Sequence, residues 1–175
     1  ASNCRHSILS LIDITKCSGE YILNYIQKIM LIFEKIKKSE DANRDLLSLM
    51  LIFFSELIEN AGEGVWKIQN EIFSFMGEIL NYCINNIDNN YNTPPNYEDE
   101  DFCYYEKLNE NLVDLIAAIT NKIKKYEELI NTFHKYVPEI IDNYFNELFK
   151  KDLFFPSADF LFSSINILDD LLDIY

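Results

Sequence analysis

Glycine and proline are scarce in this sequence, with four of each among 175 residues. Glycine allows unusual turns and proline interrupts regular structure, so a chain with few of either is expected to form long, regular elements. Strand signals are also nearly absent, because alternation of apolar and polar residues with period two never persists for more than a few residues. The sequence therefore predicts a nearly all-helical protein.

Cysteine and histidine are also rare. The two histidines, His6 and His134, are far apart, and the cysteines form no C-x-x-C pair: Cys4, Cys17, Cys83 and Cys103. Zinc sites normally combine closely spaced pairs of ligands, so no metal site is predicted. Three of the cysteines lie in or beside apolar helical stripes, which favours buried thiols in a reducing compartment.

Motifs that carry catalysis are missing. The sequence has no glycine-rich phosphate loop, no nucleophile elbow and no H-E-x-x-H pattern. Neither histidine has a nucleophile near it in sequence. Asp169, Asp170 and Asp173 resemble paired carboxylates, but helical spacing puts them on one polar flank beside leucines, which we interpret as a solvated face. We expect no catalytic residue, no cofactor and no enzymatic activity.

Basic residues and long apolar runs are few. The chain has 15 Lys and Arg against 29 Asp and Glu, a formal net charge of −14. Such a charge disfavours nucleic acid and anionic membranes and favours basic partners, although it also serves simply to keep an acidic protein dispersed. The most apolar run, Leu46 to Phe54, is far shorter than the roughly 20 residues that span a bilayer. The opening run ASNCRHS does not predict a targeting segment.

What the sequence does contain is a repeated two-helix unit. Its junctions read CSGEYILNYIQKI from Cys17, NAGEGVWKIQNEIF from Asn60 and IKKYEELINTFHKYVPEII from Ile123. Their spacing is roughly 45 residues once an insert near residues 91–102 is set aside, a period typical of HEAT and armadillo solenoids. We therefore predict an α-α superhelix of stacked HEAT-like pairs, curving as a short right-handed arc, and expect the chain to be a piece of a longer array.

The helix pairs are expected at about 1–38, 39–87 and 104–150, followed by an unpaired helix at 157–174. In the second pair, residues 46–58 carry two apolar stripes, which indicates a helix packed between layers. Ser18 and Ser157 are predicted N-caps. Pro138 should kink its helix. The stretch 88–103 is rich in Asn, contains Pro94 and Pro95, and is predicted to be disordered or a functional loop.

Exposed acidic residues are the best candidates for contacts with a basic partner. They lie in the predicted loop, on the second helix of the second pair and on the last helix. Trp66 joins them because a tryptophan at a helix start is usually a packing anchor but could also receive an apolar group. The candidate partner-binding residues are Glu98, Asp99, Glu100, Asp101, Glu71, Glu78, Trp66, Asp169 and Asp170.

Five stretches, in this order, carry a family resemblance: ASNCRHSILSLIDITKCSGEYILNYIQKIMLIFEKI, LSLMLIFFSELIENAGEGVW, YEDEDFCYYEKLNENLVDLIAAI, FHKYVPEII and INILDDLLD. Together they resemble repeats from the C-terminal half of importin-β-type nuclear transport receptors, most closely the karyopherin β3 branch. The many Asn, Ile, Lys and Tyr residues depart from that family, and its N-terminal Ran-binding arch has no counterpart here.

The resemblance implies nuclear import, with basic protein cargo, Ran GTPase and FG nucleoporins as partners, and with shuttling between cytoplasm and nucleus. It also implies that the second helix of each pair lines the concave side. The alternative is a HEAT-repeat scaffold subunit of a signalling or assembly complex. Scaffold repeats of that kind are more uniform and lack a long acidic insertion.

Overall fold

The computed structural model describes residues 2–39 and 44–175, and within these ranges the chain forms helices and no strand. The all-α class is therefore confirmed. The α-helices are α1 (Ser2–Ser18), α2 (Ile26–Lys37), α3 (Arg44–Asn60), α4 (Gln69–Tyr91), α5 (Glu100–Ile123), α6 (Glu127–Phe133), α7 (Asn146–Phe149) and α8 (Ala158–Ile174). Short 3-10 helices cover Gly19–Tyr25, Glu63–Ile68 and His134–Tyr136, and a π-helix covers Glu139–Phe145.

The first helices of successive pairs pack side by side. α1 contacts α3, α3 contacts α5, and α5 contacts α8. The second helices pack on this row, because Phe33 of α2 meets the α3 rings of Phe53 and Phe54 at 5.1 and 5.9 Å, and α4 contacts α5. The second pair was expected to begin at residue 39, and the residues that follow it, 40–43, lie outside the described residues.

Helix α3 is buried on two sides, as its double stripe predicts. It lies between α1 and α5. Nearly every apolar residue of both stripes is buried: Leu46, Leu49, Met50, Leu51, Phe53, Phe54, Leu57 and Ile58. Such a helix has no wide polar face to present to water, so its stability depends on neighbours on both sides.

The turns that follow α1, α3 and α5 contact one another. Gly62 lies so close to the Glu20 carboxylate that a Cβ there would be 2.6 Å from its Oε1 atom. Gly64 lies in the same way against Leu23, with a Cβ distance of 2.7 Å. The third junction contacts the second in the same way, because the Tyr126 hydroxyl donates a hydrogen bond to Glu63 Oε1. Each turn therefore positions the next pair.

One predicted N-cap is present and the other is wrong. Ser157 has extended backbone angles, and its hydroxyl accepts a hydrogen bond from the backbone N–H of Phe160 at 3.1 Å. Ser18 is helical instead and makes no side-chain cap, because α1 runs directly into the following 3-10 helix. An N-cap needs a non-helical residue before the helix, and Ser18 is not one.

The second helix of the third pair is irregular around Pro138. α6 ends at Phe133, a 3-10 turn follows, and a π-helix runs from Glu139 to Phe145 before α7. Proline cannot donate the hydrogen bond that a continuous α-helix would need at this point. The single helix expected over this stretch is therefore divided into short segments with different hydrogen-bonding patterns.

Half of the predicted insert is helical. Of residues 88–103, only 92–99 lie outside helices, since α4 continues to Tyr91 and α5 begins at Glu100. The reason is a pair of apolar anchors within a polar stretch. Tyr91 and Phe102 are 2% and 6% exposed and meet edge to face with ring centroids 6.0 Å apart.

Candidate functional site

A groove of about 520 Å³ lies between the second helices α2 and α4. Phe33 of α2 and Phe75 of α4 both pack on Phe54 of α3, at ring-centroid distances of 5.9 and 5.4 Å. Since both helices pack on the same α3 ring, a cleft remains between them. These three rings and Met50 of α3 form the apolar floor of the groove, and all four are buried.

The walls of the groove are mixed in character. They are lined by Gln27, Met30, Leu31 and Glu34 from α2, and by Asn70, Glu71 and Ser74 from α4. Leu31 is 65% exposed and therefore offers apolar surface at the rim. Met30 is half-buried, and the flexibility of methionine suits a surface that must adapt to different apolar groups.

Lys37 joins the two walls of the groove at one end through ion pairs. Lys37 Nζ lies 3.2 Å from Glu34 Oε1 on its own helix and 2.6 Å from Glu78 Oε2 on α4. Partial burial lowers the pKa of Lys37, but its hydrogen bonds and charge interactions with Glu78 and Glu34 outweigh that effect and the net pKa is raised. The lysine stays charged, and its charge is already compensated by these two carboxylates.

Glu71 gives the rim its free negative charge. It is exposed on α4 and forms no ion pair with any described residue. Apolar pockets of about 300–1,000 Å³ with a few polar groups are typical of binding sites. The groove is therefore suited to an apolar side chain from a polypeptide that carries a basic residue nearby.

The predicted site residues on α4 lie along its exposed face. Glu71 lines the groove, whereas the Glu78 carboxylate forms an ion pair with Lys37. Trp66 precedes α4 and is half-buried, with its ring centroid 6.4 Å from that of Phe73. It borders a separate cleft with Tyr126 and does not line the α2–α4 groove.

The acidic run at 98–101 lies at the other end of α4. α4 has 23 residues, so its two ends are roughly 30 Å apart at 1.5 Å per residue. Asp99 is the N-cap of α5 and accepts from the backbone N–H of Asp101 at 3.0 Å. Glu100 and Asp101 occupy the first turn, where negative charge is favourable. Glu98 is exposed just before this cap.

The two candidate aspartates on α8 differ in their surroundings. Asp170 is only 5% exposed, accepts from the Thr120 hydroxyl at 3.1 Å and lies 2.5 Å from Lys124 Nζ. The prediction of a solvated face is therefore wrong for Asp170, because α8 turns this residue toward α5. Asp169 is exposed and lines a polar cleft that also includes Asp114.

Sequence reasoning missed the α2 wall of the groove. Leu31 lies outside the buried stripe of α2, which contains Ile26, Ile29 and Phe33. An apolar residue off the buried stripe is the one local signal that could have indicated a binding surface. The pairing of α2 with α4 across α3 depends on the tertiary fold and leaves no mark in the sequence.

The chain matches no protein-family model, no curated protein and no solved structure. Within residues 2–39 and 44–175, no helix is long and apolar enough to cross a bilayer. Over the same described residues, no three His, Cys, Asp or Glu side chains are grouped so that they could hold a metal ion.

Proposed function

We propose that this chain is a protein-binding segment of a HEAT-type solenoid that serves nuclear import as part of an importin-β-type receptor. The observation that carries protein binding is the α2–α4 groove, with its aromatic floor and the uncompensated charge of Glu71 at its rim. The import role rests on the resemblance of five ordered stretches to that family. Basic cargo, Ran GTPase and FG nucleoporins are the proposed partners, and the receptor would shuttle between cytoplasm and nucleus.

The packing order supports the solenoid. The row of first helices, α1, α3, α5 and α8, is the arrangement that stacked HEAT pairs require. Contact between successive junctions, as between Glu63 and Tyr126, supports the same architecture. In the proposed superhelix the groove lies on the second-helix side, which by the family resemblance is the concave side.

The expected ligand is a basic peptide with one large apolar side chain. That side chain would enter the groove over Phe54, and a neighbouring Lys or Arg would approach Glu71. Exposed charge pairs of this kind raise association rates and weaken as salt screens them beyond about 8–10 Å. Affinity should therefore fall with salt without vanishing, because the apolar contact persists.

Anisotropy of a fluorescent peptide with a central Phe between Lys and Arg residues tests the groove. Leu31→Gln should weaken binding about tenfold, because burial of one leucine is worth about 1.5 kcal/mol or more. Glu71→Gln should weaken it about two- to fivefold and reduce the salt dependence. Ile14→Gln is the matched control, since Ile14 is 54% exposed on α1. Equal loss in the control and the groove variants would contradict the proposal.

The import role needs its own measurement. The chain should bind immobilised FG-repeat peptides or GTP-loaded Ran, and binding of GTP-loaded Ran should release the basic peptide. Binding of the peptide without binding of Ran or FG repeats would contradict the receptor assignment while leaving the groove proposal intact.

One observation favours the alternative of a HEAT scaffold subunit. Four exposed apolar residues of α8 are spaced four, three and four residues apart, which places them on one helix face: Leu161, Ile165, Leu168 and Leu172. A continuous exposed apolar stripe marks an interaction surface. A scaffold would use this stripe for assembly.

A further inference from the structure

A second, smaller pocket of about 160 Å³ lies at the far end of α4, next to α5 and the segment that leads into α8. Its walls are unusually aromatic: Tyr91, Tyr97, Phe154, Phe155 and Phe160. Its polar lining includes Glu106 and Glu110, together with Asn109. Nothing in the α2–α4 groove overlaps this pocket.

The aromatic walls are held in place by their neighbours. Phe154 packs edge to face on Tyr91 and on Phe160, with ring centroids 5.1 and 5.3 Å apart. Tyr97 packs on Phe102 at 5.6 Å while remaining 61% exposed at the rim. The rings of Tyr91, Tyr97, Phe154 and Phe160 are therefore held in place before a ligand binds.

Two carboxylates face this pocket without a counterion. Glu106 and Glu110 are one helical turn apart on α5, where like charges repel. Neither forms an ion pair with a described residue. Burial, and then the charge of Glu110, raise the pKa of Glu106. The pocket therefore holds negative charge that the protein itself does not neutralise.

A buried hydroxyl in the same pocket also lacks a partner. Tyr91 is 2% exposed, and its hydroxyl has no hydrogen-bond partner among the described residues. Burial raises the pKa of Tyr91 most, and the charge of Glu106 adds to that effect. Unsatisfied buried polar groups are rare because burial removes their hydrogen bonds to water without replacing them.

The neighbouring Asn109 does not supply a hydrogen bond to the Glu106 and Glu110 carboxylates or to the Tyr91 hydroxyl. Its amide donates to the backbone carbonyl of Tyr105 at 2.8 Å, and its side-chain oxygen accepts from the Tyr144 hydroxyl at 2.6 Å. Because these bonds engage Asn109 within the protein, the two carboxylates remain open to a ligand that donates hydrogen bonds and carries positive charge.

We propose that this pocket receives a basic side chain from a partner polypeptide, arginine in preference to lysine. A volume of about 160 Å³ is below the 300–1,000 Å³ that drug-sized ligands need, so one side chain fits and a nucleotide does not. A guanidinium group stacks on aromatic rings and can donate to both carboxylates at once. Lysine offers a point charge without the planar stacking surface. The inference does not depend on the nuclear-import role.

NMR titration of the ¹⁵N-labelled chain with three capped tripeptides, Gly-X-Gly with X as arginine, lysine or citrulline, tests the ligand. The arginine peptide should shift the amides of Tyr91, Tyr97, Glu106 and Glu110 in a saturable way. The lysine peptide should bind several-fold more weakly. Citrulline has almost the shape of arginine without its charge and should bind at least tenfold more weakly. Equal binding of arginine and citrulline would overturn the proposal.

Variants of the pocket test its location. Glu106→Gln with Glu110→Gln should weaken arginine binding at least tenfold and leave the fold intact, because the amides keep the shape and remove repulsion. Glu127→Gln with Glu128→Gln makes the same charge change on exposed positions of α6 and should alter affinity less than twofold. Tyr97→Leu should weaken binding about two- to fivefold through loss of the cation–π contact. Equal effects of the pocket pair and the control pair would overturn the proposal.

Discussion

Gly62 controls the turn between α3 and α4. Its φ of 68° and ψ of −164° lie in a region that only glycine occupies without strain. The same residue lies against the Glu20 carboxylate from the preceding junction. A side chain at position 62 would therefore destabilise the fold in two separable ways. One is the strain of the backbone conformation, and the other is the close contact with the Glu20 carboxylate.

Gly62→Ala should lower the free energy of unfolding by about 1–3 kcal/mol, the cost of such a backbone conformation for a non-glycine residue. The contact should add little, because the Glu20 carboxylate ends a flexible, exposed side chain. Urea denaturation of Gly62→Ala with and without Glu20→Ala measures the two contributions. Recovery of most of the stability in the double variant would contradict a backbone origin.

Individual burial was the property least predictable from sequence. Three cysteines were expected to be buried, but Cys83 alone is, while Cys17 and Cys103 are exposed and Cys4 is half-buried. The prediction for Asp170 is wrong in the opposite direction, because this residue was expected to be exposed to solvent and is instead buried against Lys124. A helical stripe is broad, and residues at its edge are covered or exposed according to which neighbouring helix lies there. That neighbour is a property of the tertiary fold.

At the scale of elements, a buried hydrogen-bond chain fixes the irregular third pair. The Tyr105 hydroxyl donates to the carbonyl of Cys83 at 2.7 Å, which joins α5 to α4. The Tyr144 hydroxyl donates to Asn109 Oδ1 at 2.6 Å, which joins the π-helix to α5. All four residues are buried. These hydrogen bonds therefore fix the rotation of the π-helix. This segment follows Pro138 and lacks regular α-helical hydrogen bonding.

Tyr144→Phe should lower stability by about 1–3 kcal/mol, because it leaves the buried Asn109 oxygen without a donor. Asn109→Leu should also destabilise, since it leaves the Tyr144 hydroxyl unpaired. The double variant should cost less than the sum of the two, because both partners of the bond are then removed. Thermal or urea unfolding of all three provides the cycle, with the exposed Tyr104→Phe as control. Strictly additive costs would show that this bond does not couple the elements.

Helix existence and inward faces were predictable, and helix regularity was not. The two apolar stripes predicted over residues 46–58 are buried at nearly every position, because apolar residues at a spacing of 3.6 mark the faces of a helix that its neighbours cover. The polar stretch around Tyr91 was expected to be unstructured because its composition outweighed two apolar anchors. Composition averages over a window, whereas a single ring in the core can hold a helix end in place.

At the scale of the whole molecule, the two candidate binding regions lie at opposite ends of α4. Glu71 marks the groove and Tyr91 marks the aromatic pocket, roughly 30 Å apart along the helix. Neither region is visible in sequence, because each combines elements from different pairs. The net charge of −14 predicted basic partners in general, and the fold adds two places where uncompensated carboxylates meet apolar surface. A long basic segment could engage both.

The exposed stripe of α8 has consequences for the molecule in solution. The helix pattern predicts that Leu168, Leu171, Leu172 and Ile174 cannot all be covered by one preceding helix pair. Leu168 and Leu172 are 44% and 81% exposed, whereas Leu171 is 7% exposed. Analytical ultracentrifugation should show concentration-dependent self-association, since exposed apolar stripes of this kind tend to associate. Leu168→Gln with Leu172→Gln should weaken it about tenfold or more, because each buried leucine contributes about 1.5–3 kcal/mol. Ile14→Gln, at an exposed apolar position on α1, should leave it unchanged. A monomer at all concentrations, or equal weakening by the α1 variant, would show that α8 is not the associating surface.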